Sequence, residues 1–190
     1  MNELQQRIVS EGKVLPGNII KVDGFMNHRV DTKLMRSLAR DIKAHFEGHG
    51  ITKVMTVEAS GIPLATITAD ELEVPLLFAK KAKSDNIEGG LVKSEIFSYT
   101  YKKKVTLIVS AEWISPEDRI LVVDDFMANG EAIRGVLEIV DQVGAKLVGV
   151  AIAIEKGFQG GGDRLRAKGV DVYSLAIVEK AEPGNIVFRE

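Results

Sequence analysis

The sequence predicts an α/β fold in which a mostly parallel sheet is covered by helices on both faces. Short apolar runs recur along the chain, and each is followed by a small-residue turn and by apolar residues at helical spacing. The run Ile120-Leu121-Val122-Val123 contains no polar residue, which is typical of a parallel strand buried on both faces. The chain has 190 residues, of which 45% are hydrophobic, so we expect one domain over residues 1–190.

The composition narrows the class of protein. Lysine and arginine number 25 against 27 aspartate and glutamate residues, and this balance argues against a nucleic-acid partner, whose phosphates usually require a basic excess. The absence of cysteine excludes disulfides, thiolate nucleophiles and cysteine-based zinc sites. No apolar run approaches the length of a membrane span, and residues 1–12 contain no signal-peptide core. We therefore expect a cytoplasmic protein that binds neither membranes nor nucleic acid.

The N-terminal part of the chain predicts two helices separated by irregular structure. Residues 2–10 have the spacing of a short helix, and residues 13–26 combine apolar residues with turn signals and one short strand. These apolar residues must cover something, either the core as a lid or a ligand as a hood. Asp31 is a good N-cap for the second helix, which Gly48 and Gly50 end.

A strand–turn–helix unit follows. Residues 51–57 predict a strand that ends at the turn Glu58-Ala59-Ser60-Gly61, and Pro63 lies near the first position of the next helix. Residues 76–78 predict a short strand that leads into a lysine-rich segment. Small residues at the turn leave room for a ligand to approach the backbone.

Residues 85–104 differ from the rest of the chain because they are polar, contain Gly89-Gly90 and end in Lys102-Lys103-Lys104. Two alternating segments, at about 92–100 and 105–110, predict an antiparallel ribbon. An excursion of this kind in a compact domain is either a mobile flap or a plain surface hairpin, and the sequence favours neither.

The C-terminal part continues the alternation of strands and helices. After the run at 120–123, apolar residues at helical spacing predict a helix that Gly144 ends. Residues 147–154 predict another buried strand, residues 163–168 a short helix, and residues 170–178 a final strand.

Asp124 and Asp125 follow the apolar run directly, so the sequence predicts that both lie at the carboxyl end of a buried strand, where open α/β sheets bind ligands. Two carboxylates there can hold sugar hydroxyls or a hydrated Mg²⁺, although solvated acids at a strand end are also common. The turn 128–132 has no bulky residue between an anion and the backbone amides that begin the next helix. The combination suits a ribose that carries phosphates, without the glycine spacing of a Walker or dinucleotide-binding loop.

An apolar strand, two aspartates and a small-residue loop resemble the phosphoribosyl-diphosphate (PRPP) signature of the type I phosphoribosyltransferases. Other landmarks of that family occur in order: the turn 58–61, the segment Lys80-Lys81-Ala82-Lys83-Ser84, and Glu155-Lys156-Gly157-Phe158. The match covers nearly the whole chain. It implies the type I phosphoribosyltransferase fold, with an N-terminal hood (mainly residues 1–30) and a flexible flap (about 84–104). Residues 21–28 and the sequence that follows Asp124 look like the branch that acts on xanthine.

The resemblance implies a role for each half of the PRPP signature. Asp124 and Asp125 are implied as the catalytic pair, facing the ribose hydroxyls and the water shell of Mg²⁺, while Ser60 and Lys81 hold the pyrophosphate. The amides that hold the 5′-phosphate are those of Ala128, Asn129, Gly130, Glu131 and Ala132. The cofactor Mg²⁺ would be carried by PRPP and water, with no direct protein ligand.

One feature of the phosphate loop departs from the common family pattern. Most members carry threonines where this chain has Asn129 and Ala132. A hydroxyl donor is therefore missing at one position and replaced by an amide at the other. If the loop binds phosphate, backbone N–H groups must do more of the binding, and the xanthine branch is similar in this respect.

Base selectivity is predicted from Lys156. An ammonium group only donates hydrogen bonds, so it suits a 6-oxopurine and offers no acceptor to the amino group of adenine. Asn27 both donates and accepts, and Ile20 would supply an apolar wall; the resemblance places both in the hood over the base. Phe158 either stacks on the base or belongs to the core. These residues do not separate xanthine from guanine or hypoxanthine, and that step depends on the resemblance.

The implied reaction converts xanthine and PRPP to xanthosine 5′-monophosphate (XMP) and pyrophosphate, in purine salvage. One alternative is a guanine or hypoxanthine phosphoribosyltransferase. Another is a PRPP-sensing purine regulator without catalysis; such regulators add a winged-helix domain, for which the roughly fifty residues before the first sheet strand are too few beside a hood. A homodimer is expected by analogy with the family.

Overall fold

The computed structural model describes residues 1–82, 90–98 and 103–190. A central sheet of eight strands has the order β10-β9-β8-β7-β3-β4-β6-β5, and β1 and β2 form a separate hairpin. The strands are β1 (Lys13–Leu15), β2 (Ile19–Lys21), β3 (Lys53–Val57), β4 (Leu76–Ala82), β5 (Leu91–Ser98), β6 (Lys103–Ser110), β7 (Arg119–Met127), β8 (Lys146–Lys156), β9 (Val172–Glu182) and β10 (Asn185–Phe188). Strands β9, β8, β7, β3 and β4 are parallel, and the strands outside them are antiparallel. The predicted mostly parallel sheet is confirmed.

Five α-helices flank the described sheet: α1 (Glu3–Glu11), α2 (Thr32–His45), α3 (Ile62–Leu72), α4 (Glu131–Val143) and α5 (Gly161–Arg166). Asp31 caps α2 as predicted, because its Oδ1 accepts hydrogen bonds from the backbone of Lys33 and Leu34 at 3.1 and 3.2 Å. Pro63 lies in the first turn of α3, and Gly144 ends α4 in the left-handed conformation with φ +78°. None of the helices in these ranges is long and apolar enough to cross a lipid bilayer.

Two apolar clusters cover the two faces of the sheet. Strand β7 contributes to both, because successive side chains of a strand point to opposite faces. Leu121 and Val123 pack in the first core cluster with the N-terminal region and α2, whereas Ile120 and Val122 pack in the second with α4. All four side chains are 0% exposed, which explains why the run contains no polar residue.

The predicted hood region is more regular than the sequence indicated. It contains the β1–β2 hairpin and a π-helical turn at Asp23–Asn27, where one short strand was expected. Phe25 and Met26 are 1% exposed and belong to the first core cluster, together with Leu4 of α1. The apolar residues of the predicted hood therefore pack in the core and hold this region against the rest of the domain.

The predicted antiparallel ribbon is confirmed as β5 and β6, which continue the central sheet because β6 pairs with β4. Side chains of α4 hold this edge: Arg134 Nη2 donates to the Glu95 carbonyl at 2.8 Å, and Gln142 Nε2 donates to the Lys93 carbonyl at 2.9 Å. Of the predicted flap, residues 91–98 and 103–104 lie in these strands. Residues 84–89 and 99–102 lie outside the described residues, so the flap remains a prediction.

The sequence missed the last strand of the sheet. Strand β9 extends to Glu182, beyond the predicted end at residue 178, and β10 returns antiparallel to it. The turn between them contains Gly184 with φ +77°. The short exposed segment 185–188 has no long apolar run, which is why its pairing was not apparent.

Candidate active site

The carboxyl ends of four neighbouring parallel strands meet at one edge of the sheet. The turn with Ser60 follows β3, Lys81 is near the end of β4, Asp125 is near the end of β7, and Lys156 ends β8. In open α/β sheets this edge is where ligands bind. The fold thus brings together residues that are up to about a hundred positions apart in the sequence.

Asp125 lies at the junction of three elements. Strand β7 continues to Met127, so the two aspartates lie within the strand, where the sequence predicted that they follow it. Ser60 Oγ donates a hydrogen bond to Asp125 Oδ1 at 2.9 Å, and Asn27 Nδ2 donates to Asp125 Oδ2 at 3.2 Å. The carboxylate is therefore oriented by the hood on one side and by the turn after β3 on the other.

Asp124 is buried beside this carboxylate. Its Oδ1 accepts a hydrogen bond from the Asp125 backbone N–H at 2.9 Å. Burial raises the pKa of Asp124 well above its ordinary value, and the neighbouring charge of Asp125 adds to that rise. A Cβ at Gly61 would lie 2.3 Å from Asp124 Oδ1 and from Thr56 Oγ1, so only glycine allows the turn to pack this closely on the pair.

A cleft extends from the end of β7 across the phosphate loop (residues 128–132) to the β5–β6 edge. Its lining residues are Lys81, Ile96, Phe97, Val105, Phe126, Met127, Ala128, Asn129, Gly130, Glu131, Ala132 and Ile133. Gly130 has φ +82° and begins α4, whose first backbone N–H groups have no partner within the helix. The cleft therefore offers an anion site at the N-terminus of a thirteen-residue helix.

The donor set near this cleft fits a metal ion that a substrate carries. Among the described residues, no three histidine, aspartate or glutamate side chains are close enough to form a metal site. Asp124 and Asp125 lie in β7 next to Phe126 and Met127, which line the cleft. Mg²⁺ usually keeps several waters and is held by one or two carboxylates together with substrate phosphates. The aspartate pair suits that kind of binding.

Lys156 is partly buried where β8 ends. Its Nζ donates to the Asn18 carbonyl at 3.4 Å and lies 6.0 Å from the centroid of the Phe126 ring. Burial lowers the pKa of Lys156 from its ordinary value, because the charged form loses hydration. A donor beside an aromatic face is suited to a flat, polar ring.

Comparisons with known proteins bear on this geometry. A family model described as "Phosphoribosyl transferase domain" matches residues 27–180. The chain belongs to the phosphoribosyltransferase family. The xanthine phosphoribosyltransferases of Bifidobacterium longum and Ruminiclostridium cellulolyticum are each 47% identical to it, with complete coverage of both chains. That of Streptococcus pneumoniae is 44% identical and covers 100% of this chain and 98% of its own.

Solved structures of the family have the same fold. The APRTase of Giardia lamblia, complexed with 9-deazaadenine, superposes with a TM-score of 0.78 over 93% of this chain and 98% of its own, at 22% identity. The adenine phosphoribosyl transferase of Trypanosoma brucei, in complex with AMP, pyrophosphate and ribose-5-phosphate, gives a TM-score of 0.76 over 93% and 80%, also at 22% identity. At this identity the likeness shows the fold alone, and the predicted type I fold is confirmed.

The structure of this phosphoribosyltransferase brings most of the predicted site residues together. Hydrogen bonds join Asp125 to Ser60, Asn27 and Asp124, and Lys81 lines the same cleft as residues 128–132. Lys156 lies near the Phe126 ring and donates a hydrogen bond to the Asn18 carbonyl in the hood.

Ile20, predicted as an apolar wall for the base, and Phe158, for which the sequence left base stacking and the core open, both pack against the core. Ile20 is 7% exposed and packs in the first core cluster, while its neighbour Asn18 reaches Lys156. Phe158 is partly buried against the same cluster. Two aromatic residues, Phe97 and Phe126, line the cleft, and the sequence analysis missed the site position of Phe126 because it follows the two aspartates like any strand residue.

Proposed function

We propose that this phosphoribosyltransferase transfers the phosphoribosyl group of PRPP to xanthine and releases XMP and pyrophosphate. The observation that carries the proposal is the juxtaposition of Asp125, oriented by Ser60 and Asn27, with the open amides of the phosphate loop and the donor Lys156 beyond Phe126. Relatives that are 44–47% identical over their full length and carry the name xanthine phosphoribosyltransferase support the choice of base.

In this proposal the protein positions two substrates and stabilises charge. The bond between the anomeric carbon and pyrophosphate breaks, a ring nitrogen of the base bonds to that carbon, and the proton of that nitrogen is released to solvent. The amides of the phosphate loop bind the 5′-phosphate, and Asp124 and Asp125 accept hydrogen bonds from the ribose hydroxyls. The backbone around Ser60 and the charge of Lys81 stabilise the departing pyrophosphate. Mg²⁺ bound with PRPP would neutralise part of the phosphate charge.

Lys156 selects the class of base. Its ammonium donates to an oxo group and cannot accept a hydrogen bond from an exocyclic amino group. Because the group is partly buried against Phe126, an unmatched polar edge at this position would be left without its hydrogen bond. The residue therefore favours 6-oxopurines over adenine, which keeps guanine and hypoxanthine as the second candidate substrates.

The test is turnover of PRPP and Mg²⁺ with xanthine, guanine, hypoxanthine and adenine in separate assays. We expect the highest kcat/KM with xanthine and no detectable turnover with adenine. A higher kcat/KM with guanine or hypoxanthine would show that this base, and not xanthine, is the preferred substrate. PRPP binding without turnover of any base would contradict the enzymatic function and favour a PRPP-sensing regulator.

The single domain over residues 1–190 and the homodimer are also proposals. They are supported by the family resemblance of the sequence. Size-exclusion chromatography with light scattering measures the mass in solution, and a mass of one chain, 20.7 kDa, would contradict the dimer.

A further inference from the structure

The phosphate loop lacks hydroxyl side chains, so its backbone has to be held in a binding conformation by other groups. The Asn129 carbonyl accepts a hydrogen bond from Arg164 Nη2 at 3.0 Å. The same guanidinium donates through Nη1 to the Gln159 carbonyl at 3.3 Å. Arg164 is outside the cleft lining and belongs to α5, which follows β8 in the chain.

Helix α5 is packed directly beneath the loop. A Cβ at Gly161 would lie 2.3 Å from the Ala128 carbonyl oxygen and 2.9 Å from the Gly130 nitrogen, so the helix approaches the loop as closely as two backbones can. This contact fixes the distance between α5 and the loop, while the Arg164 hydrogen bond fixes the direction of one peptide group.

An ion pair anchors α5 to the core. Arg166 donates to both carboxylate oxygens of Glu155, from Nη1 at 3.0 Å and from Nη2 at 2.7 Å, and Glu155 is 0% exposed. A Cβ at Gly162 would lie 2.1 Å from Glu155 Oε1, so a glycine is needed above this carboxylate. A two-pronged bond to a buried group gives α5 a defined position from which Arg164 can act.

We propose that Arg164 is a positioning residue for the 5′-phosphate site, acting through the Asn129 carbonyl. The Asn129 C=O and the Gly130 N–H belong to one planar trans peptide and point to opposite sides of it. Holding the carbonyl toward Arg164 turns the Gly130 N–H away from Arg164, and Gly130 lines the cleft. Arg164 thereby orients the Gly130 N–H in a loop that has no threonine hydroxyl of its own.

This inference rests on the proposed function and deepens it, and its test separates the two. Binding of ribose 5-phosphate, of PRPP with Mg²⁺ and of pyrophosphate with Mg²⁺ is measured by calorimetry for the wild type and for Arg164→Gln. We expect Arg164→Gln to weaken ribose 5-phosphate and PRPP about tenfold, which corresponds to ~1.4 kcal/mol, and to leave pyrophosphate unchanged. Arg40 is a surface arginine of α2 that pairs with Glu71 of α3, and Arg40→Gln is the matched control that should change none of these affinities.

Salt distinguishes positioning from long-range attraction by an exposed charge. Raising the salt from about 0.1 M to about 1 M shortens the screening length from ~10 Å to ~3 Å. The ratio of mutant to wild-type dissociation constants for ribose 5-phosphate should persist at high salt, because the hydrogen bond to Asn129 is short-ranged. A ratio that falls to one at high salt would overturn positioning.

Two other outcomes would also overturn the inference. One is unchanged binding of ribose 5-phosphate by Arg164→Gln; the other is an equal loss for pyrophosphate, which would indicate general damage to the fold. The proposed function fails by a different result, namely a wild-type protein that does not turn over any oxopurine with PRPP. A wild type that turns over xanthine while Arg164→Gln binds ribose 5-phosphate normally would sink the inference alone.

Discussion

The two halves of the candidate site are built in different ways. The proposed site for the ribose and its 5′-phosphate is one continuous segment, from Asp124 in β7 through the phosphate loop into α4. The proposed base half is assembled from separate elements: Asn27 of the hood, Phe126 of β7 and Lys156 of β8. Phosphate recognition uses backbone N–H groups, which need only small residues around them, whereas base recognition uses side chains whose directions the fold must set.

One hydrogen bond joins the halves. Asn27 Nδ2 donates to Asp125 Oδ2 at 3.2 Å, so a hood residue implied for the base also touches the ribose-facing pair. The halves are therefore distinct in construction but share a carboxylate. Variants on each side should show how far binding of PRPP and of the base are separable.

The largest effect should come from Asp125→Asn. The change removes a negative charge that three elements orient, and it replaces one accepting oxygen by a donating NH2 group, so either Ser60 or Asn27 loses its present acceptor. We expect kcat/KM to fall about a hundredfold or more with every base, as for other preorganised groups that stabilise developing charge. Steady-state kinetics with xanthine and guanine measure this. A loss confined to one base would assign Asp125 to the base half.

Gly61→Ala should have the next largest effect on the kinetics. The added Cβ would lie 2.3 Å from Asp124 Oδ1, so either the turn after β3 or the aspartate must move. We expect about a tenfold or greater rise in the KM for PRPP with a smaller change for the base. Gly24→Ala is the matched control, because a Cβ there meets nothing within 4 Å. Similar kinetics for the two variants would contradict the close packing at Gly61.

Lys156→Ala should affect the base half alone. Loss of one charged hydrogen-bond donor is expected to raise the KM for the oxopurine about tenfold and to leave the Kd of PRPP unchanged. Lys146→Ala, at the other end of the same strand, serves as the control. A comparable rise in the Kd of PRPP would show that the two halves are not separable.

The charge of Lys156 also predicts a pH dependence of the base half. Burial lowers its pKa below the ordinary 10.5, so the ammonium is lost at a lower pH than for an exposed lysine. As the pH rises through that lowered pKa, the oxopurine KM should increase while PRPP binding is retained. KM measured over an alkaline pH series, with Lys156→Ala as the reference, checks this. A wild-type profile parallel to that of the variant would contradict it.

The smallest effect is on stability, from Asp124→Asn. The folded-state pKa of Asp124 is raised, so its stabilising contribution is present below the unfolded pKa and is lost as the pH rises through the folded pKa. At neutral pH the uncharged asparagine, which can still accept from the Asp125 N–H, should raise Tm by roughly 2–4 °C. Calorimetry should show this gain shrinking as the pH falls toward 3.8. A gain that grows on acidification would contradict burial of the charge.

Local patterns in the sequence predicted the segment that runs from β7 through the phosphate loop. The apolar run before Asp124 is buried on both faces, the small residues at 128–130 line the cleft, and Asp31 caps its helix. Each of these depends on local rules of burial, backbone access or capping.

The rest depended on tertiary contacts that no local pattern encodes. Phe126 and Arg164 resemble an ordinary strand residue and an ordinary surface arginine, and their partners Lys156 and Asn129 are 30 and 35 positions away. A signal for Arg164 was present in the run of glycines at 160–162, since adjacent glycines allow backbones to meet closely. It did not indicate which backbone would be met.

In the structure the ammonium of Lys156 donates to an acceptor of the protein itself, the Asn18 carbonyl. The 3.4 Å distance is long for a hydrogen bond, so under the proposed function an oxo group of the base could replace this acceptor. Asn18 and Gly17 both have positive φ, at 59° and 84°, so the turn that presents the carbonyl is a defined conformation. If Lys156 binds the base as proposed, the Asn18 carbonyl and the oxo group are alternative acceptors for one ammonium, and changes in this turn should alter the affinity for the base.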